Sequence, residues 1–183
     1  MSQVEMVMTG YSIIIALCLA RLLDGLRPAA AAGARYWVHY VWLINKIVNV
    51  VLLYWGTYYF LEESLSLAEF MLVLAPPSIV YLQCDALLTK DPDSITDWRA
   101  HYYRSRTLFF FANCLLVPLI LGQIMLTSDG PLPFSVPAAL ALMGAVSLLG
   151  ALSASPRLHA GIAVVALLNL TIGFTVQFSL LGT

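Results

Sequence analysis

Apolar residues run along this chain in long blocks, and polar residues collect in the short connections between them. Six blocks are evident, near Val7 to Leu26, Trp37 to Phe60, Leu67 to Leu88, Tyr103 to Leu126, Phe134 to Leu152 and Leu158 to Leu181. Each has about the 18 to 25 residues that a helix needs to cross roughly 30 Å of hydrocarbon. The pattern predicts an all-α integral membrane protein with six transmembrane helices. The connections leave no room for a soluble domain, so residues 1–183 are read as a single six-helix transmembrane domain. The first block is read as a retained helix, because its leading stretch MSQVEM carries no basic residue and no small-residue cleavage site follows a short apolar core.

Composition agrees with this reading. The chain is 61% hydrophobic and 10% charged, more apolar than a soluble domain of 183 residues needs to fill one core. Without an aqueous domain there is nowhere to hold a nucleotide, a nucleic acid or a catalytic module. The expected partners are therefore the lipid bilayer and either further copies of the chain or a membrane-complex partner.

Charge adds an orientation. When alternate connections are assigned to opposite sides, every basic residue falls on one side: Arg21, Arg27 and Arg35 near the first connection, Lys90, Arg99, Arg104 and Arg106 around the third, Arg157 in the fifth, and Lys46 in the same half of the second helix. Glu5, Glu62, Glu63, Glu69 and Asp129 mark the other side. Basic connections stay in the cytoplasm, so both termini are expected outside, in the periplasm of a bacterial-type plasma (inner) membrane. In the third connection, Ser94 and Asp97 fit a capping box for a fourth helix starting near Ile95, with Trp98, Tyr102 and Tyr103 as an interfacial belt.

Polar groups inside the blocks change the picture most. His39, Trp42, Lys46, Asn49, Gly56 and Thr57 share about a third of the circumference of the second helix, and Gly10, Cys18, Arg21, Asp24 and Gly25 share a face of the first. Arg21 and Asp24 are spaced for an intrahelical ion pair. An ionised side chain near the bilayer centre costs about 2.5 to 3.5 kcal/mol, so Lys46 must be paired, hydrated or able to snorkel. Asp24 and Asp85 are its candidate partners. The expected polar cluster is Arg21, Asp24, His39, Lys46, Asn49 and Asp85, with Asn113, Gln123, Asn169, Gly173 and Gln177 presented by the fourth and sixth helices. The cluster is either a dry ion-pair and hydrogen-bond lock, a hydrated vestibule, or a contact with a partner protein.

Other chemistry is thinly represented. Cys18, Cys84 and Cys114 stand singly in separate blocks, without a CxxC pair, and are read as small apolar fillers. His39, His101 and His159 lie on the basic side, but none sits deep in its block as a pair of haem ligands would. Asp97 and His101 have zinc-like spacing with no third ligand. No GxSxG or HExxH motif occurs, so no enzyme, cofactor or metal is expected. Pro76-Pro77 should kink the third helix and free carbonyls that need partners. Two small-residue ridges, Ala141 with Ala145 and Ser147 with Ala151, mark close-packing faces on the fifth helix. The expected function is passage of an ion, a proton or a small solute; the alternative is a non-catalytic subunit or assembly factor of a larger membrane complex.

Overall fold

The computed structural model describes residues 3–31, 35–56, 66–127 and 130–181. Thr57, Glu62, Glu63 and Asp129 lie outside the described residues, as do the surroundings of Gly173 and the side chain of Gln177. Among the described residues there are six α-helices: α1 (Gln3–Ala30), α2 (Trp37–Gly56), α3 (Leu67–Leu87), α4 (Trp98–Thr127), α5 (Ser135–Leu152) and α6 (Pro156–Leu181). A short 3₁₀ turn, Pro92–Ser94, lies between α3 and α4, and no strand occurs among the described residues. Among the described residues, five helices are long and apolar enough to cross a membrane, and α6 is apolar over Pro156–Leu170. This is the architecture of a helical, multi-pass membrane protein.

Cross-helix contacts define an up-and-down bundle built around α4. Gln83 and Asn113 join α3 to α4, Asn113 and Ser147 join α4 to α5, and Tyr36 and Tyr103 meet between α2 and α4. Asn45 Nδ2 donates to the Ala166 carbonyl, which ties α6 to α2. The Tyr11 hydroxyl donates to the Leu53 carbonyl, which ties the start of α1 to the end of α2. Gly150 lets α5 close onto α4: a Cβ there would stand 2.8 Å from the Phe110 ring. Ser147 and Ala151 are buried with it, so this ridge packs within the protomer, whereas Ala141 and Ala145 face outward.

Both ends of the bundle are held by explicit capping. Ser66 and Glu69 form a capping box on α3, with Ser66 N donating to Glu69 Oε2 at 2.7 Å and Glu69 N to Ser66 Oγ at 3.4 Å. The expected start of the fourth helix near Ile95 is corrected. Ser94 belongs to the 3₁₀ turn, where its hydroxyl donates to the Asp91 carbonyl, and α4 starts at Trp98 with Asp97 Oδ1 accepting from the Arg99 and Ala100 amides. The first turns of α4 then serve the neighbouring C-termini, whose last carbonyls have no partner in their own helices. Trp98 Nε1 donates to Pro28 O of α1, His101 Nε2 to Leu87 O of α3, and Arg106 Nε to Ser153 O at the end of α5.

The proline pair has a matching partner. In an α-helix each N–H bonds the carbonyl four residues earlier, so Pro76 and Pro77 free the carbonyls of Leu72 and Val73. Gln123 Nε2, on α4, donates to both, at 3.3 and 3.2 Å. Helix α3 runs unbroken through the prolines, and one carboxamide supplies the donor that they lack.

Two substitutions test this packing. Gln123→Leu leaves two buried carbonyls without their donor and should cost on the order of 1–3 kcal/mol, read as a lower unfolding midpoint in detergent micelles. With Pro76 and Pro77 both replaced by alanine, helix N–H groups reach those carbonyls and the cost of Gln123→Leu should largely vanish. Gly150→Ala should destabilise by about 1–3 kcal/mol through overpacking against Phe110.

Candidate functional site

The polar side chains at the centre of the bundle come from four helices and meet at Asn113. Lys46 sits roughly 14 Å along α2 from Trp37 at 1.5 Å per residue, and it is only 4% exposed. Its ammonium donates to Asn113 Oδ1 at 3.2 Å and lies 5.4 Å from the centroid of the Phe109 ring, a cation–π contact. Gln83 Nε2 donates to the same oxygen at 3.0 Å. Asn113 Nδ2 donates to Ser147 Oγ at 2.7 Å, and Ser147 donates to the Met143 carbonyl at 2.6 Å. Because an ammonium only donates, Lys46 fixes which way the Asn113 amide faces, and that choice sets the sense of every bond after it. Gln83 Oε1 is buried without a hydrogen-bond partner.

The expected cluster is split by this geometry. Lys46 hydrogen-bonds neither Asp24 nor Asp85. Asp85 Oδ1 instead pairs with Arg21 Nη2 at 2.9 Å across α1 and α3, toward the bundle surface, and Asp24 is exposed rather than paired with Arg21. The reason is register: Gly10 lies against Leu74 and Gly25 against Leu88, so α1 and α3 run side by side and bring Arg21 level with Asp85. Asn49 turns the other way, donating to the Asn45 carbonyl and Oδ1 and so joining the α2–α6 seam rather than the Lys46 centre. Asn169 is exposed on α6.

His39 belongs to a second group, one turn or more toward the basic end. Its ring is fully buried against Trp98, at a centroid distance of 4.7 Å, and edge-on to His101 and Tyr102, at 5.9 and 6.2 Å. Neither ring nitrogen has a partner. His159 lies across Tyr102 with both nitrogens engaged, Nε2 on the Ser153 carbonyl and Nδ1 on the Tyr102 hydroxyl, each at 2.8 Å. A carbonyl can only accept, so Nε2 carries the proton and the Tyr102 O–H donates to Nδ1. The three histidines do converge, yet His101 and His159 spend nitrogens on protein partners, and the arrangement does not offer a haem two facing axial ligands. Asp97 is occupied as a helix cap and does not join His101 in a metal pair.

Sequence reasoning passed over Gln83 and treated Ser147 only as a small packing residue; the polar centre needs both. Cys18 on α1 and Cys84 on α3 are fully buried in the apolar core.

No family model matches this chain, and comparison with curated proteins and with solved structures finds no match.

A buried ammonium with one amide partner makes an asymmetric stability test. Asn113→Leu strips Lys46 and Gln83 of their shared acceptor and should cost about 3–5 kcal/mol, the penalty for an uncompensated buried charge. Lys46→Met removes the charge itself and should cost far less, and Lys46→Met should recover part of the loss when combined with Asn113→Leu. Thermal unfolding of the four proteins in one detergent measures the cycle.

Proposed function

We propose that this protein passes an ion, a proton or a small solute across a bacterial-type plasma membrane through the polar centre around Lys46. The observation that carries this reading is a lysine buried among Asn113, Gln83 and Phe109 with no carboxylate among the described residues bonded to it. A clasp that merely fixed helix register could be made from neutral amides at no charge penalty, whereas a buried ammonium costs several kcal/mol. Ionisable groups held inside a helical bundle mark conduction and relay pathways. The basic end, where Trp98, His101 and Arg106 reach the ends of α1, α3 and α5, is assigned to the cytoplasm, with both termini outside.

A second reading has its own support. The Ala141–Ala145 ridge faces away from α4 together with Leu142, Leu148 and Leu149, so α5 presents a small-residue face outside the protomer. Such a face suits helix-to-helix docking in lipid, either onto another copy or onto a larger complex in which this chain is a non-catalytic subunit.

Flux measurements in proteoliposomes test the first reading. Lys46→Leu should change the rate or ion selectivity of uptake while leaving the unfolding midpoint nearly intact, and Arg21→Gln should leave flux at the original level. Flux that is unchanged by Lys46→Leu would remove Lys46 from the path. Native mass measurement after gentle extraction reads the second: stoichiometric foreign partners support the subunit role, and a homo-oligomer or monomer supports self-contained passage.

A further inference from the structure

We propose that the proton is the species passed and that His39 hands it between the basic end of the bundle and the Lys46 centre, an inference that rests on the passage proposed above. Four buried side-chain polar atoms have no hydrogen-bond partner among the described residues: His39 Nδ1, His39 Nε2, Trp42 Nε1 and Gln83 Oε1. Buried polar groups are nearly always paired, so a bare one needs a cause. These four are not scattered. His39, Trp42 and Lys46 follow one another at steps of three and four residues, which places them on one face of α2 and spans roughly 10 Å of its axis. Gln83 stands at the far end of that line, because its Nε2 shares the Asn113 Oδ1 acceptor with the Lys46 ammonium. The bare atoms thus run from the basic end of α2 to the level of Lys46.

The chemistry of the line suits a proton. A neutral imidazole presents one N–H donor and one acceptor nitrogen, the indole adds a donor and the carboxamide oxygen an acceptor. Water entering along this face of α2 meets donors and acceptors of the kind that hold buried water in place. In the transfer the His39 ring accepts a proton on its bare nitrogen and releases the proton of the opposite N–H. Only N–H bonds form and break, the ring ends neutral in its other tautomer, and a half-turn of the ring restores the first. His39 is fully buried, but its ring lies edge-on to half-buried His101, at a centroid distance of 5.9 Å. His101 Nε2 donates to the Leu87 carbonyl, which leaves Nδ1 as the acceptor on the side chain next to His39. The titratable side chains against the His39 ring among the described residues are His101 and Tyr102, both on α4, and the Tyr102 hydroxyl is committed to His159. His159 has both nitrogens held at 2.8 Å and takes no part. Delivery through a buried ring is slower than exchange in bulk water, so Lys46 still exchanges its protons more slowly than exposed Lys90.

Two measurements on the full chain test the relay. In liposomes that hold a pH-sensitive dye, an inside-negative potential should drive acidification by the original protein. His39→Gln keeps hydrogen bonding but takes up no proton, and it should slow acidification on the order of 100-fold, the scale of a positioned proton-transferring side chain. His39→Phe is the second variant where glutamine lowers the unfolding midpoint. Independently of flux, ¹⁵N NMR of the three histidines in bilayers should show water contact at both His39 ring nitrogens and none at His159 Nδ1. Acidification undiminished in both variants, or His39 nitrogens without water contact, would overturn the relay. Sodium or chloride movement without acidification would overturn the proton as the species passed while leaving passage through the Lys46 centre standing. Absence of any flux would overturn both.

Discussion

One amide oxygen, Asn113 Oδ1, holds the interior of this bundle together. It accepts from the Lys46 ammonium of α2 and the Gln83 carboxamide of α3, while the same side chain donates to Ser147 of α5. Three helices are thereby registered against α4 at one level. In hydrocarbon the hydrophobic effect gives no preference for helix against helix over helix against lipid, so packing and directed polar contacts must select the arrangement. A donor that can only donate, at Lys46, removes the ambiguity of the amides around it and gives the network one sense.

The same demand for internal satisfaction explains the rest of α4. Its interior carboxamide Gln123 serves the two carbonyls freed by Pro76 and Pro77, and its first turns serve the ends of α1, α3 and α5. A proline pair within a membrane-length helix and an aromatic, basic entry segment thus answer one constraint, since a buried backbone group has no water to turn to. Arg106 and His101 do more than bias topology: His101 reaches the Leu87 carbonyl at the end of α3, and Arg106 shares the Ser153 carbonyl after α5 with His159.

The helices were legible because apolar block length is set directly by bilayer thickness, and the segments from Trp37 and from Leu67 start where the sequence places them. The need for partners at the freed carbonyls was legible too, from Pro76-Pro77 alone. The identity of the partner was not, because nothing along the chain tells Gln123 from any other polar residue on α4. Lys46 stood out by its cost, but its neighbours could not be read from helical faces. Asp85 has the right charge and depth for Lys46, yet the α1–α3 register delivers it to Arg21. Partners in a membrane bundle are set by rotation and axial shift between helices, which a single-helix periodicity does not encode.

The proposed passage through the bundle draws on one feature, an ammonium held in the interior instead of lifted to the headgroups. The chain has just two lysines, Lys46 and Lys90, so selective ¹⁵N labelling of lysine side chains isolates that feature in a bilayer. Hydrogen exchange at the two Nζ groups, read by NMR, is the most direct test. The account requires a slowly exchanging Nζ signal from Lys46, lost in Lys46→Met, beside a fast-exchanging signal from Lys90. Equally fast exchange at both lysines would mean that Lys46 reaches the aqueous interface and that Asn113 does not hold it.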